Sequence, residues 1–134
     1  MLMPIVNGRI ARVLLRRPDD GHILIIETEQ SRNFAYELPG GKVKLNETIR
    51  QAALRELKEE TGLTAKLALM RYAARAIPHD ENIVWEHYLY RGIYNGEPIT
   101  LEAPDLTYRF ASPRDAYHNC HDWWSRHVLH SLFD

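Results

Sequence analysis

The sequence predicts a layered α/β or α+β fold, a sheet covered by helices. Three observations predict it. Strand-length runs rich in branched and aromatic residues recur along the chain, a strongly patterned helix falls between residues 47 and 61, and a second helical stretch follows Pro113. A length of 134 residues suits one domain, spanning 1–134, and is too short for two.

The elements follow in order. IARVLL (Ile10 to Leu15) reads as a strand because its residues are mostly branched. RRPDDG (Arg16 to Gly21) supplies Pro, Asp and Gly for a turn, and HILIIE (His22 to Glu27) is a second, buried strand. QSRNFAYELPGG (Gln30 to Gly41) reads as a loop with a short extended piece before Pro39. The helix over 47–61 takes Asn46 as its N-cap, Glu47 in its first turn and Gly62 as its left-handed stop. Strands are expected over Lys66 to Ile77, Asn82 to Tyr94 and Leu106 to Ala111, with NGEP (Asn95 to Pro98) as a turn. The tail from Pro113 to Phe133 reads as mostly helical.

Composition narrows the function classes. Seventeen basic and eighteen acidic residues leave a net charge of −1, so no nucleic-acid partner is expected. One cysteine, Cys120, excludes a disulfide within the chain and a four-cysteine zinc site. Arg9, Arg12, Arg16 and Arg17 break the N-terminal apolar run, and no segment approaches the ~20 apolar residues that span a bilayer. The expectation is a cytoplasmic protein without a membrane segment.

The helix carries the chemistry. At about 100° per residue, Glu59 and Glu60 fall about 60° and 40° to either side of Glu56, on the stripe continued by Ile49, Ala52 and Ala53. A charge run on a helix is usually a solvated face, which should lie opposite the apolar stripe. Here the carboxylates extend the stripe. Like charges so placed repel, and a divalent cation among them relieves the repulsion, with carboxylate oxygens the donors that Mg²⁺ or Mn²⁺ prefers.

The same stretch has the form G-x5-E-x7-R-E-U-x-E-E-x-G-U, with U a bulky aliphatic. It is filled by Gly41, Glu47, Arg55, Glu56, Leu57, Glu59, Glu60, Gly62 and Leu63. This resembles the signature of the Nudix hydrolases. YELPGG (Tyr36 to Gly41) is similar to the lead-in of MutT-like members, NGEPITLE (Asn95 to Glu102) to their turn carrying a further glutamate, and TYRFA (Thr107 to Ala111) to their short aromatic strand. The resemblance implies an α/β/α sandwich with a mixed β-sheet, the signature forming a loop–helix–loop. It also implies metal-dependent hydrolysis of a nucleoside diphosphate linked to some group X.

Under this resemblance, Glu59 and Glu60 are metal ligands, and Glu56 is either a ligand or the group that activates water. The carbonyl of Gly40 is a further ligand, and Gly40 with Gly41 lets the backbone approach the ion. Arg55 holds a glutamate in place, and Glu47, on the far side of the helical wheel, is structural or supports the ligands from behind. Glu102 is a ligand, a base, or a solvated loop glutamate. Tyr36, Phe34, Trp85 and Tyr88 each either stack on a nucleobase or fill the core, and Asn119 is the candidate for reading a base edge.

His118, Cys120, His121, His127 and His130 have metal-like spacing, but on one helix the first pair of histidines points about 120° to 180° away from the last. They do not close on one ion. Pro78 decides little between ADP-ribose and MutT-like activities. The lack of an added N-terminal dimerisation segment tilts the expectation to a compact MutT-like triphosphate pyrophosphohydrolase, monomeric or homodimeric. A non-catalytic nucleotide-binding module is the reading from another class. An isomerase of the isopentenyl diphosphate type needs a cysteine at the site, where Cys120 does not fall.

Overall fold

The computed structural model describes residues 5–30, 33–76 and 83–120, with Arg126 and Leu129; residues 5–7, 28–30, 33–35, 70–76 and 83–85 are described by backbone alone. The elements run β1 (Ile5–Arg16), β2 (Ile23–Gln30), β3 (Asn33–Glu37), β4 (Gly40–Lys42), α1 (Ile49–Thr61), β5 (Ala68–Ala76), β6 (Ile83–Ile93), β7 (Leu106–Ala111) and α2 (Pro113–Asn119). The seven strands form one sheet in the order β3-β2-β1-β6-β5, with β4 added to β1 and β7 to β2. β1 and β6 run parallel from Ile5↔Ile83 to Arg16↔Ile93, and every other pair is antiparallel, so the sheet is mixed.

Alternation along the strands builds two cores. Ala11, Val13, Leu15 and Leu24 face α1 and pack with Ala52, Ala53 and Leu57. Leu14, Ile23 and Ile25 face the other way, against Ala116 and Cys120 at α2 and against Leu129. The sheet is therefore sandwiched, helix on each face.

One departure from a regular sheet positions the site. β1 meets β2 at the single register Arg16↔Ile23. From there the two strands part, and the gap between them receives β4, paired to β1, and β3, paired to β2. The turn joining β3 to β4 is tied to β1 by the Val13 amide donating to the Pro39 carbonyl at 2.8 Å. The expected loop over Gln30 to Gly41 thus contains two short strands and a tight turn.

Other boundaries also differ from expectation. Thr48, not Asn46, caps α1: its hydroxyl accepts from the Gln51 amide, and the Gln51 side chain accepts from the Thr48 amide. Asn46 lies before the helix at φ 68°, a conformation asparagine tolerates, and Glu47 sits in the same turn. The wheel position that made Glu47 peripheral does not apply, because Glu47 is outside the helix. α2 ends at Asn119, and Cys120 turns extended to bridge Tyr36.

Candidate active site

The site begins with two glycines. Gly40 has φ 151°, and a Cβ there would lie 2.2 Å from the Ala11 carbonyl oxygen, so only glycine passes this close to β1. A Cβ on Gly41 would lie 2.7 Å from the Glu56 carboxylate. The close approach of β4 to β1 therefore depends on Gly40, and its approach to α1 on Gly41.

α1 brings its carboxylates to this turn. Glu60 Oε1 accepts from the Gly40 amide at 2.8 Å. Arg55 lies across the cluster: Nη2 and Nε bind the two Glu47 oxygens at 2.7 and 3.0 Å, and Nη1 reaches Glu56 at 2.8 Å and Glu59 at 3.2 Å. Its Nη2 also donates to the Lys42 carbonyl at 3.0 Å, which fastens the guanidinium to β4. The Glu56 side chain is 16% exposed and the Glu59 side chain 47%, so Glu56 lies inward while Glu59 stands at the rim. The end of the helix positions the last carboxylate. The Thr100 amide donates to the Thr61 carbonyl at 2.9 Å, holding the loop that carries the exposed Glu102 beside Gly62.

Electrostatics separates these groups. The Arg55 bond, helped by the Lys44 amide, holds the Glu47 carboxyl down at about 2. Burial pushes Glu60 up to about 8. The Gly40 amide opposes that rise, while the charges of Glu56 and Glu102 add to it. Glu102 is thus part of the same electrostatic cluster.

Arg12 is a residue that sequence reasoning missed. It extends from β1 beside Gly40, donates through Nη1 to the Leu38 carbonyl at 2.9 Å, and its positive charge favours the ionised form of Glu60. Its buried Nε has no hydrogen-bond partner. The available signal was the single arginine inside the apolar run IARVLL, between Ala11 and Val13.

The donor set fits a hard divalent cation. Glu56, Glu60 and the Gly40 turn meet in a notch that a Cβ at Gly41 would fill, and all side-chain donors are oxygens. Among the described residues no three acidic, histidine or cysteine side chains converge as a ready-made metal cage. The reason lies in the hydrogen bonds: Glu56 and Glu59 are turned to Arg55, and Glu60 to the Gly40 amide.

The expected base-binding residues divide. Tyr36 is 8% exposed and belongs to the core facing α2, with its hydroxyl accepting from Arg109 Nη1, so its ring presents no open face for stacking. Asn119 donates from its amide nitrogen to the carbonyl and side chain of Asp115, at 2.8 and 3.1 Å. It precedes Cys120, the residue bridged to Tyr36, so Asn119, Tyr36 and Arg109 meet at one end of the α2 layer. Tyr88 packs partly buried against the α1 core. Phe34 and Trp85 belong to β3 and β6, and their side chains lie outside the described residues, as do Pro78, His121, His127 and His130. His118 is exposed and Cys120 is buried in the core.

Comparison with known proteins identifies the family. The chain matches the NUDIX domain over residues 6–132. It belongs to the Nudix family. Its fold is similar to the Escherichia coli ORF135 protein (TM-score 0.75, 23% identity, 98% of this chain and 90% of that one). It is also similar to the MutT protein of Methanosarcina mazei Go1 (TM-score 0.73, 18% identity, 100% and 99%). At these identities the likeness shows the Nudix fold alone. In sequence it is 43% identical over 49 residues to the ADP-ribose pyrophosphatase of Methanocaldococcus jannaschii, 36% of this chain. That match spans 29% of the relative's length, and a match to a Caenorhabditis elegans protein named for nudix hydrolases spans 16%. The chain thus spans under a third of the curated relatives it matches. No helix among the described residues is long and apolar enough to cross a membrane.

Proposed function

We propose that this Nudix protein is a pyrophosphohydrolase that cleaves the diphosphate bridge of a nucleoside diphosphate-X compound, with a nucleoside triphosphate, normal or oxidised, as the first substrate class. The products are a nucleoside monophosphate and pyrophosphate. The observation that carries the reading is the Gly40–Gly41 turn locked against Glu56 and Glu60, with Arg55 clamped between Glu47 and the cluster.

Glu56, Glu59, Glu60, Glu102 and the Gly40 carbonyl would hold Mg²⁺ or Mn²⁺, which offsets the diphosphate charge and polarises the reacting phosphorus. Glu56 or Glu102 accepts the proton of the attacking water at a carboxylate oxygen. The water oxygen bonds to phosphorus, the bridging P–O bond breaks, and its electron pair leaves on the bridging oxygen. Arg55 is a positioning residue. It holds Glu56 through one nitrogen while Glu47 fixes the other two. Phe34 and Trp85 remain candidates for stacking on the base, and Asn119 for its polar edge. Monomer and homodimer are both compatible with this site, and the single cysteine supports a cytoplasmic setting.

ADP-ribose is the second reading, supported by the name of the Methanocaldococcus jannaschii relative. A panel of normal and oxidised triphosphates, ADP-ribose, NADH and a dinucleoside polyphosphate separates them, with Mg²⁺ or Mn²⁺ and products identified by mass. Release of pyrophosphate from a triphosphate, with kcat down about 10²-fold or more in Glu59→Gln and Glu60→Gln, is the expected result. Preferential cleavage of ADP-ribose replaces the substrate class but keeps the reaction. Nucleotide binding with no turnover under either metal overturns the enzyme reading in favour of a binding module.

A further inference from the structure

A second concavity, of about 800 Å³, opens at the far end of β1. Its floor is apolar, formed by Leu14, Ile23, Ala68 and Ile93, and its rim carries Arg16, Lys66 and Arg91. Among the described residues, no carboxylate lines it. Two facts separate it from the glutamate cluster. Arg12 is the register partner of Gly40, and Arg16 lies four residues farther along β1, about 13 Å at strand rise. Leu14 and Ile23 also belong to the core facing α2, whereas Glu56 and Glu60 ride on α1 across the sheet.

The three cations differ from the arginines that are held in ion pairs. Arg9, Arg17, Arg55 and Arg109 each pair with a carboxylate. Arg16, Lys66 and Arg91 make no ion pair among the described residues. A lone exposed cation is ordinary; three around one apolar concavity, with no counter-charge among the described lining residues, favour an anion. Two glycines shape the rim. The Arg16 guanidinium lies across Gly21, where a Cβ would come within 2.9 Å of Nη2. Gly92 lets β6 pass the 65–67 wall, where a Cβ would lie 2.9 Å from Leu67 Cδ2 and 3.0 Å from the Lys66 carbonyl. Ile93 is left 65% exposed between the two walls, a large apolar surface available to a ligand.

We propose that this concavity binds a small phosphate-bearing molecule with a flat apolar body, of mononucleotide type, at a site separate from the glutamate cluster. The phosphate oxygens meet the forked donors of Arg16 and Arg91, with Lys66 as the third charge. The apolar body covers Ile93 and Ile23.

Amide shifts in ¹⁵N-labelled protein test this with adenosine monophosphate and inorganic pyrophosphate as probes. Excess EDTA is present, so that metal-dependent binding at the glutamates is silent. The expected result is saturable shifts at Ala68, Gly92 and Ile93, tighter for the nucleotide than for pyrophosphate. Arg91→Glu should weaken the nucleotide about tenfold, equivalent to about 1.4 kcal/mol, while Glu59→Gln leaves it unchanged. Lys66→Gln gives a milder loss and guards against misfolding of the reversed-charge variant. The proposal is overturned if neither probe shifts these amides, if shifts appear only around Gly41 and Glu56, or if Arg91→Glu and Lys66→Gln bind unchanged. Equal affinity for pyrophosphate removes the apolar body from the claim. Shifts that track protein concentration instead of ligand would assign the face to a second copy of the chain.

Discussion

Gly40, Gly41 and Arg12 show how single side chains set this site. Gly40→Ala puts a methyl group into the Ala11 carbonyl and forces a positive φ on alanine, so the fold should lose roughly 2–4 kcal/mol, read by urea denaturation. Gly41→Ala differs, because the group it meets is the end of the Glu56 side chain, which can swing away. Its stability should change little while kcat on the identified substrate falls; unchanged kcat would show that the Glu56 position is not required. Arg12→Met removes the donor to the Leu38 carbonyl and the positive charge beside Glu60. Mn²⁺ affinity, measured by electron paramagnetic resonance, should weaken, and Arg12→Lys should recover part of it by restoring the charge. Equal Mn²⁺ affinity in Arg12→Met would make the arginine purely structural.

Within the elements, the start of α1 decides where the carboxylates point. Thr48 and Gln51 form a reciprocal cap, and Thr48→Ala should cost about 1 kcal/mol in chemical denaturation. Glu47, in the turn before the helix, binds Arg55 through both oxygens. Its carboxyl titrates at about 2 in the fold against an ordinary 4.5. The folded state therefore holds fewer protons on this group than the unfolded chain. Its contribution is complete above about 4.5 and is lost as pH falls towards about 2. Glu47→Gln should flatten that part of the acid-denaturation profile, and an unaltered profile would show that Arg55 does not hold Glu47 in solution.

Across the whole molecule, the divergence of β1 from β2 makes a notch that gathers α1, the glycine turn and the 95–105 loop. Gathering carboxylates there has a cost visible in Glu60, raised to about 8. A carboxyl raised in the fold binds more protons folded than unfolded, so its contribution to stability falls as pH rises from about 4.5 to 8. In EDTA, denaturation midpoints should therefore carry a downward component across this window, which Glu60→Gln removes. Adding Mn²⁺ should reverse the component, because the cation favours the ionised cluster. A profile identical in wild type and Glu60→Gln would contradict the burial of this carboxylate.

The sequence by itself determined the sheet-and-helix layering, the helix that ends at Gly62, and the choice of Glu56, Glu59, Glu60 and their glycines. The layering, the helix and the carboxylate stripe follow from local periodicity, and the glycines from the resemblance to the Nudix signature. It also read Arg55 as a group that holds a glutamate, and the side chain bonds Glu47, Glu56 and Glu59. The tertiary structure alone decided the rest. Thr48 displaced Asn46 as cap because capping depends on backbone angles that composition does not fix. β3 and β4 emerged from an apparent loop because short strands are specified by the partners that β1 and β2 offer them. Tyr36 became core and Arg12 joined the glutamates because burial and charge proximity depend on contacts between residues far apart in the chain.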